Sequence, residues 1–128
     1  MTIPTQQTVF RLTSRTGPSG LQEFREAVPS AGAGEVVVEV RGVGLNYRDV
    51  AIATDQYPLS VKDDVVPCAD VAGVVVEVGE RARGVAVGDR VISAVNPAHL
   101  YGPYDENCAD ATLGGLTDGV LREFIACK

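Results

Sequence analysis

The chain has little with which to bind a metal and nothing with which to cross a membrane. Its 128 residues hold one histidine, His99, and three cysteines, Cys68, Cys108 and Cys127, with no Cys-x-x-Cys pair among them. An odd number of scattered thiols argues against a disulfide framework and against a thiolate zinc site. The lone histidine weakens a Ser/His/Asp triad in the same way. It stands in the turn-rich stretch "NPAHLYGP", where a surface or packing histidine is the plainer reading. No run of about 18 apolar residues is present to span a bilayer. The N-terminus, "MTIPTQQTVF", lacks a basic region followed by an apolar core, so no signal peptide is expected and the chain reads as cytoplasmic. The net charge is −6, with acids and bases mixed along the chain. No basic stripe exists to follow a phosphate backbone, so nucleic acid is not an expected partner.

What is present is valine in short runs. An apolar fraction of 45% over 128 residues is enough for one domain, residues 1–128, with a core of its own. "TVFRLT" (8–13) reads as a first strand, and "LQEFREAV" (21–28) as an edge-like, mostly solvated one. "EVVVEVRGVGLN" (35–46) is the clearest strand. Val36, Val38 and Val40 share one face, and Val37, Glu39, Arg41 and Val43 the other. The pentapeptide "VVVEV" returns at 74–78, "VGDRVISAV" (87–95) follows a Gly88-Asp89 turn, and "VLREFIACK" closes the chain. Between the valine strands, "NYRDVAIATD" (46–55) places Tyr47, Val50, Ala51 and Thr54 at helical spacing. Asn46 stands at the N-cap, and Asp49 in the first turn, where the helix dipole favours a carboxylate. Many short strands, a short helix and frequent turns predict a closed or partly closed β-barrel or sandwich.

Two phosphate-binding motifs are incomplete. Gly42-x-Gly44 lies between a strand and a helix, but Tyr47 stands where a third glycine would allow close helix–strand approach, and no second βαβ unit follows. Gly79 and Gly84 have P-loop spacing, but Val85 stands where lysine is required.

Three stretches carry more. "GEVVVEVRGVGLNYRDVAIATDQYP", "VPCADVAGVVVEVGERARGVAVGDRV" and "GGLTDGVLREFI", in this order and at these separations, resemble the N-terminal GroES-like domain of the medium-chain dehydrogenases/reductases, from about Val9 to Lys128. The resemblance implies a mainly β fold, a GroES-like partly open β-barrel with one or two short helices. In the zinc-dependent alcohol dehydrogenases of that family, a cysteine ligand begins the helix, and a Gly-His-Glu motif supplies a histidine ligand. Here those places hold Asn46 and Cys68-Ala69-Asp70. The region of the four-cysteine structural zinc lobe, "ISAVNPAHLYGPYDENCADAT", has a single cysteine. The chain therefore resembles the zinc-independent branch, the quinone oxidoreductases and enoyl reductases, for which "LNYRD" followed by "YP" is typical.

That branch passes a hydride from NADPH to an activated carbon–carbon or carbonyl double bond. By analogy Tyr57, Asn46 and Arg48 are catalytic candidates, with Tyr57 a proton donor, and Tyr47 and Asp70 border the substrate, a small apolar or quinone/enone-like molecule. Each also has a plainer reading. Tyr57 could be a turn tyrosine packed on Pro58, Asn46 a helix cap, Arg48 and Asp49 a solvated pair, and Asp70 a structural carboxylate satisfied by nearby groups. Family members continue into a Rossmann domain that holds the cofactor and then return to complete the first domain. This chain is expected to bind no cofactor by itself. It reads as a truncated or stand-alone catalytic domain. The alternatives are a free-standing domain catalysing an isomerisation or cyclisation, and an interaction module in which a homodimer or partner chain covers an open sheet edge.

Overall fold

A computed structural model describes residues 2–105, 108 and 111–128. The part of the loop 96–115 at 106–107 and 109–110 lies outside the described residues. Among these residues, six strands and a helix follow one another as β1 (Gln6–Leu12), β2 (Leu21–Ala27), β3 (Val36–Gly44), α1 (Tyr47–Ala53), β4 (Asp70–Val78), β5 (Arg90–Ile92) and β6 (Phe124–Cys127). A 3-10 turn, Pro18–Gly20, precedes β2. The strands form two open antiparallel sheets, β1-β2 and β5-β4-β3-β6, which do not close into a barrel. The mainly β, GroES-like expectation holds, with one short α-helix among the described residues.

The valine-rich strands pair with each other. β3 and β4 run antiparallel from Val36↔Val78 to Gly44↔Asp70, with register shifts between Val37 and Val38 and between Val40 and Gly42. Gly73 lies opposite the second shift. A Cβ there would clash with Glu39 O and stand 2.5 Å from a Val38 methyl, so only glycine lets the strands approach. The shifts also correct the simple alternation read from the sequence. Val36, Val37 and Val38 are all buried, while Val40 is only partly so. The main core joins Val36, Val38, Cys68, Val71, Val75, Val120 and Ile125.

β1 and β2 form a hairpin without register shifts, and β2 is mostly solvated, as its sequence suggested. The hairpin is fastened to the end of the chain. Phe10 N–H donates to Leu121 O at 3.1 Å, and Glu123 N–H to Thr8 O at 3.2 Å. Gln7 is fully buried, and its amide is satisfied at both ends. Its oxygen accepts from Phe124 N–H at 2.9 Å, and its nitrogen donates to Ala27 O at 3.3 Å.

Two late strands are shorter than their sequences suggested. β5 keeps three residues of the segment 87–95. β6 begins only at Phe124, because Gly119 and Val120 turn across residues 66–68, where their N–H groups bond to Val66, Pro67 and Cys68 carbonyls. The buried residues of α1 are Ala51, Ile52 and Ala53, not the face read through Tyr47 and Val50. Tyr47 is 82% exposed and Val50 55%. Ile52 instead packs with Leu12, Ala53 and Val65 in a second cluster that Tyr57 borders. The helix stops where Asp55 takes a left-handed φ of 57°, and Thr54 Oγ1 donates to Val50 O at 2.8 Å.

Candidate functional site

The β3–β4 ladder ends at Gly44↔Asp70, and the chain enters α1 immediately beyond Gly44. That placement brings Asn46 beside Asp70. Gly44 makes room for it, since a Cβ there would stand 3.1 Å from Asp70 Cβ. Asn46 Nδ2 donates to Asp70 Oδ2 at 2.6 Å. Asn46 is also the N-cap, in extended geometry, and Asp49 reaches back to accept its N–H at 2.9 Å in a capping box. The cap reading and the site reading of Asn46 therefore coexist.

Arg48 points the other way from the first turn of α1. Its Nε–H donates to Tyr57 Oη at 3.1 Å, and its guanidinium carbon lies 5.1 Å from the Tyr57 ring centroid. Its Nη1–H donates to Leu113 O at 2.9 Å. The Arg48/Asp49 solvated pair is thus replaced by two separate roles, one toward Tyr57 and one at the cap. Tyr57 is half-buried and packs against the second cluster. The fold brings together Asn46 with Asp70, and Arg48 with Tyr57. Tyr47 stands in solvent with neither pair.

Cys68 lies beneath this region. It is buried, and it holds a φ of 73°, which side chains with a Cβ rarely adopt. Burial pushes its thiol up to about 12, and the nearby Asp49 and Asp70 carboxylates push in the same direction. Such a thiol is inert at neutral pH, which accords with the packing role expected for it. His99 stacks on Tyr104 with ring centroids 5.8 Å apart, as a packing histidine would. Among the described residues no group of three His, Cys, Asp or Glu side chains is placed to hold a metal ion.

Sequence reasoning missed Leu113 and Gly115. Leu113 contributes only a main-chain oxygen, which no residue type announces. Gly115 matters because a Cβ there would stand 2.8 Å from Arg48 Nη2. The Gly114-Gly115 dipeptide was the available signal of close backbone approach.

A cavity of about 660 Å³ opens on the inner face of the four-stranded sheet, lined by Val36, Val71, Val91, Val120, Ile125 and Arg122 among others. It holds none of the nominated residues. A shallower hollow of about 430 Å³ runs from Gly44 and Asp70 to Ile92 and Ser93. The hollow, unlike the larger cavity, includes one of the nominated residues, Asp70. No helix among the described residues is long and apolar enough to cross a membrane.

Comparison with known proteins gives a consistent answer. Residues 32–128 match the alcohol dehydrogenase GroES-like domain family. A zinc-type alcohol dehydrogenase-like protein of Schizosaccharomyces pombe is 36% identical over 91 residues, covering 71% of this chain and 26% of that protein. The acryloyl-coenzyme A reductase of Metallosphaera sedula is 41% identical over 87 residues, covering 67% and 24%. A crystal structure assigned as an alcohol dehydrogenase from Sinorhizobium meliloti superposes with a TM-score of 0.83 at 31% identity, covering 98% of this chain and 38% of that one. The chain spans about a quarter of the curated relatives it matches.

Proposed function

Because this chain belongs to the alcohol dehydrogenase GroES-like domain family, a family of oxidoreductases, we propose that it is the substrate-side domain of a zinc-independent reductase acting on a quinone or enone. The observation that carries this reading is the 2.6 Å hydrogen bond between Asn46 and Asp70. At the places where the zinc-dependent branch supplies a cysteine ligand and the glutamate of its Gly-His-Glu motif, an amide and a carboxylate satisfy each other. Between them in sequence, Ala69 offers no donor atom.

Without ligands there to recruit a Lewis acid, negative charge developing on an acceptor oxygen must meet hydrogen-bond donors. The described residues supply two. Asn46 Nδ2 keeps a second N–H beyond the one given to Asp70. The Tyr57 phenol is a proton donor, held by Arg48. Asp70 orients the amide, and the hollow beside it, with Ile92, accepts an apolar ring edge. Tyr47, exposed at the start of α1, is free to meet a substrate from the solvent side.

NADPH, which the family resemblance implies, has no Rossmann-type phosphate seat among the described residues. Both sheets are wholly antiparallel. α1 has seven residues and begins with Tyr47. A Rossmann seat for dinucleotide phosphates is a parallel strand that runs through a glycine turn into a helix. The part played by these residues is to receive the acceptor, orient it and deliver a proton to it.

Titration with duroquinone, which carries no ring hydrogen for a thiol to displace, tests the proposal by 1H–15N correlation spectra. The expected result is a saturable shift of the Asn46, Tyr57 and Asp70 signals. Tyr57→Phe should weaken binding about two- to tenfold, the loss of one hydrogen bond. Shifts confined to the residues lining the larger cavity would overturn the reading.

A further inference from the structure

We propose that Arg48 is a positioning residue: seated by the Leu113–Gly115 turn, it makes Tyr57 Oη a hydrogen-bond acceptor and so leaves the phenol's own proton for substrate. The inference deepens the reading above and rests on Tyr57 acting as the donor.

The argument turns on what a guanidinium cannot do. It carries five N–H donors and no acceptor. At 3.1 Å from Arg48 Nε, the Tyr57 oxygen can only accept. Among the described residues, no acceptor takes the Tyr57 O–H. The contact therefore fixes the polarity of the phenol as well as its place. The ring is held as well, because the guanidinium carbon stands 5.1 Å from its centroid.

The position of Arg48 is itself set from a distant part of the chain. Nη1–H is taken by Leu113 O at 2.9 Å. Nη2 is buried with no partner among the described residues and lies against Gly115. The turn that presents these groups is anchored independently. Leu113 N–H donates to Val95 O at 3.0 Å, Gly114 N–H to Thr117 O at 2.9 Å, and Lys62 N–H to Gly115 O at 3.0 Å. A planar fork reaches both Tyr57 and Leu113 and presents an edge to Gly115. A lysine ammonium, one point charge on a flexible stem, cannot hold that geometry. The end of the loop 96–115 thereby places the arginine that places the tyrosine.

The test reads Arg48 directly. In arginine-selective 1H–15N spectra of the wild-type chain, Arg48 Nε–H is expected to exchange slowly with water and to show an NOE to the Tyr57 ring. Gly115→Ala pushes on Nη2 without touching Tyr57, and should speed that exchange about tenfold, the loss of roughly one hydrogen bond. In the duroquinone titration, Arg48→Lys should lose the same factor as Tyr57→Phe, and the double variant no more than either. Unchanged exchange in Gly115→Ala, or losses that add in the double variant, would overturn the proposal. Should Gly115→Ala not fold, free-solution exchange of Arg48 Nε–H in the wild-type chain overturns it alone. The exchange signal needs no quinone. Protected Nε–H with no duroquinone binding would therefore refute the reductase reading while the Arg48–Tyr57 contact stood.

Discussion

Replacing Asp118 should be among the most damaging single changes to this fold. Its carboxylate accepts from Val66 N–H at 3.0 Å, from Arg11 Nη1 at 3.2 Å, and from Lys62 Nζ at 3.1 Å. Arg11 in turn donates to Glu26 at 2.5 Å and to Asp64 O at 2.9 Å. One carboxylate thus joins β1 and its partner strand to the segment that leads into β4. The side chains of Asp118 and Arg11 are each 19% exposed, so solvent screens this pair only in part. Asp118→Ala leaves the Val66 N–H without its acceptor, at a cost of about 1–3 kcal/mol. It also removes a charge-assisted bond to Arg11, worth about 1.5 kcal/mol while Glu26 still neutralises that arginine. The more exposed Lys62 adds less than about 1 kcal/mol. The sum is about 3 kcal/mol, or roughly 10 °C in thermal midpoint for a domain of this size. Asp118→Asn keeps an acceptor for Val66 and should cost about half as much.

The pH dependence follows from the same contacts. Burial pushes the Asp118 carboxyl up, but the Val66 N–H, Lys62 and Arg11 outweigh it, and the net direction is down. The hydrogen bond from Arg11 holds Glu26 down as well. Groups depressed in the folded state contribute fully above the ordinary carboxylate range of about 4, and the contribution is lost as pH falls through the folded values. Urea midpoints measured from pH 7 down to pH 2.5 should therefore fall steeply in the wild-type chain and less steeply in Asp118→Asn. An Asp118→Ala variant within about 0.5 kcal/mol of wild type at pH 7, or an unchanged acid slope in Asp118→Asn, would refute the reasoning.

Three further outcomes are expected. With Cys68 pushed up to about 12, only about one molecule in ten thousand carries the thiolate at pH 8; a colorimetric thiol titration of the native chain should leave Cys68 unreacted until denaturant is added, whereas the partly exposed Cys108 reacts at once. Gly73→Ala drives a methyl against Glu39 O and Val38, and should destabilise by about 2–3 kcal/mol in urea melts, more than Ala substitution at the unobstructed Gly42. Equimolar zinc should leave the thermal midpoint unchanged; a rise above about 2 °C, the mark of a ligand that binds only the folded chain, would sink the zinc-independent reading.

Much of this arrangement could be read from residue order because valine alternation and cap chemistry are local. β3, β4, the short helix and the Asn46 cap all announce themselves within a dozen residues. What could not be read depends on partners far away. The bulges that bury three successive valines of β3 exist only against β4. Val50 and Tyr47 match a helical stripe as well as Ile52 does, and only the hairpin packed beside α1 decides for Ile52. The late start of β6 follows from Gly119 and Val120 turning onto residues 66–68. At the site, family likeness pointed to Asn46, Arg48, Tyr57 and Asp70, but it could not say that they form two pairs. The Leu113 carbonyl was invisible, since every residue has one.

The buried amide of Gln7 also bears on how the chain is made. Its oxygen waits for the N–H of Phe124, 117 positions later. Val9 and Thr8 likewise find Arg122 and Glu123 across nearly the whole sequence. During synthesis the first hairpin leaves the ribosome with a buried-type amide and an apolar face that nothing yet covers. It stays incomplete until β6 has cleared the exit tunnel. Pairings of such long sequence separation fold slowly, and they leave strand edges open to other chains meanwhile. β6 is therefore the strand that commits the first hairpin, and the yield of folded protein should depend on temperature and synthesis rate more than its equilibrium stability does.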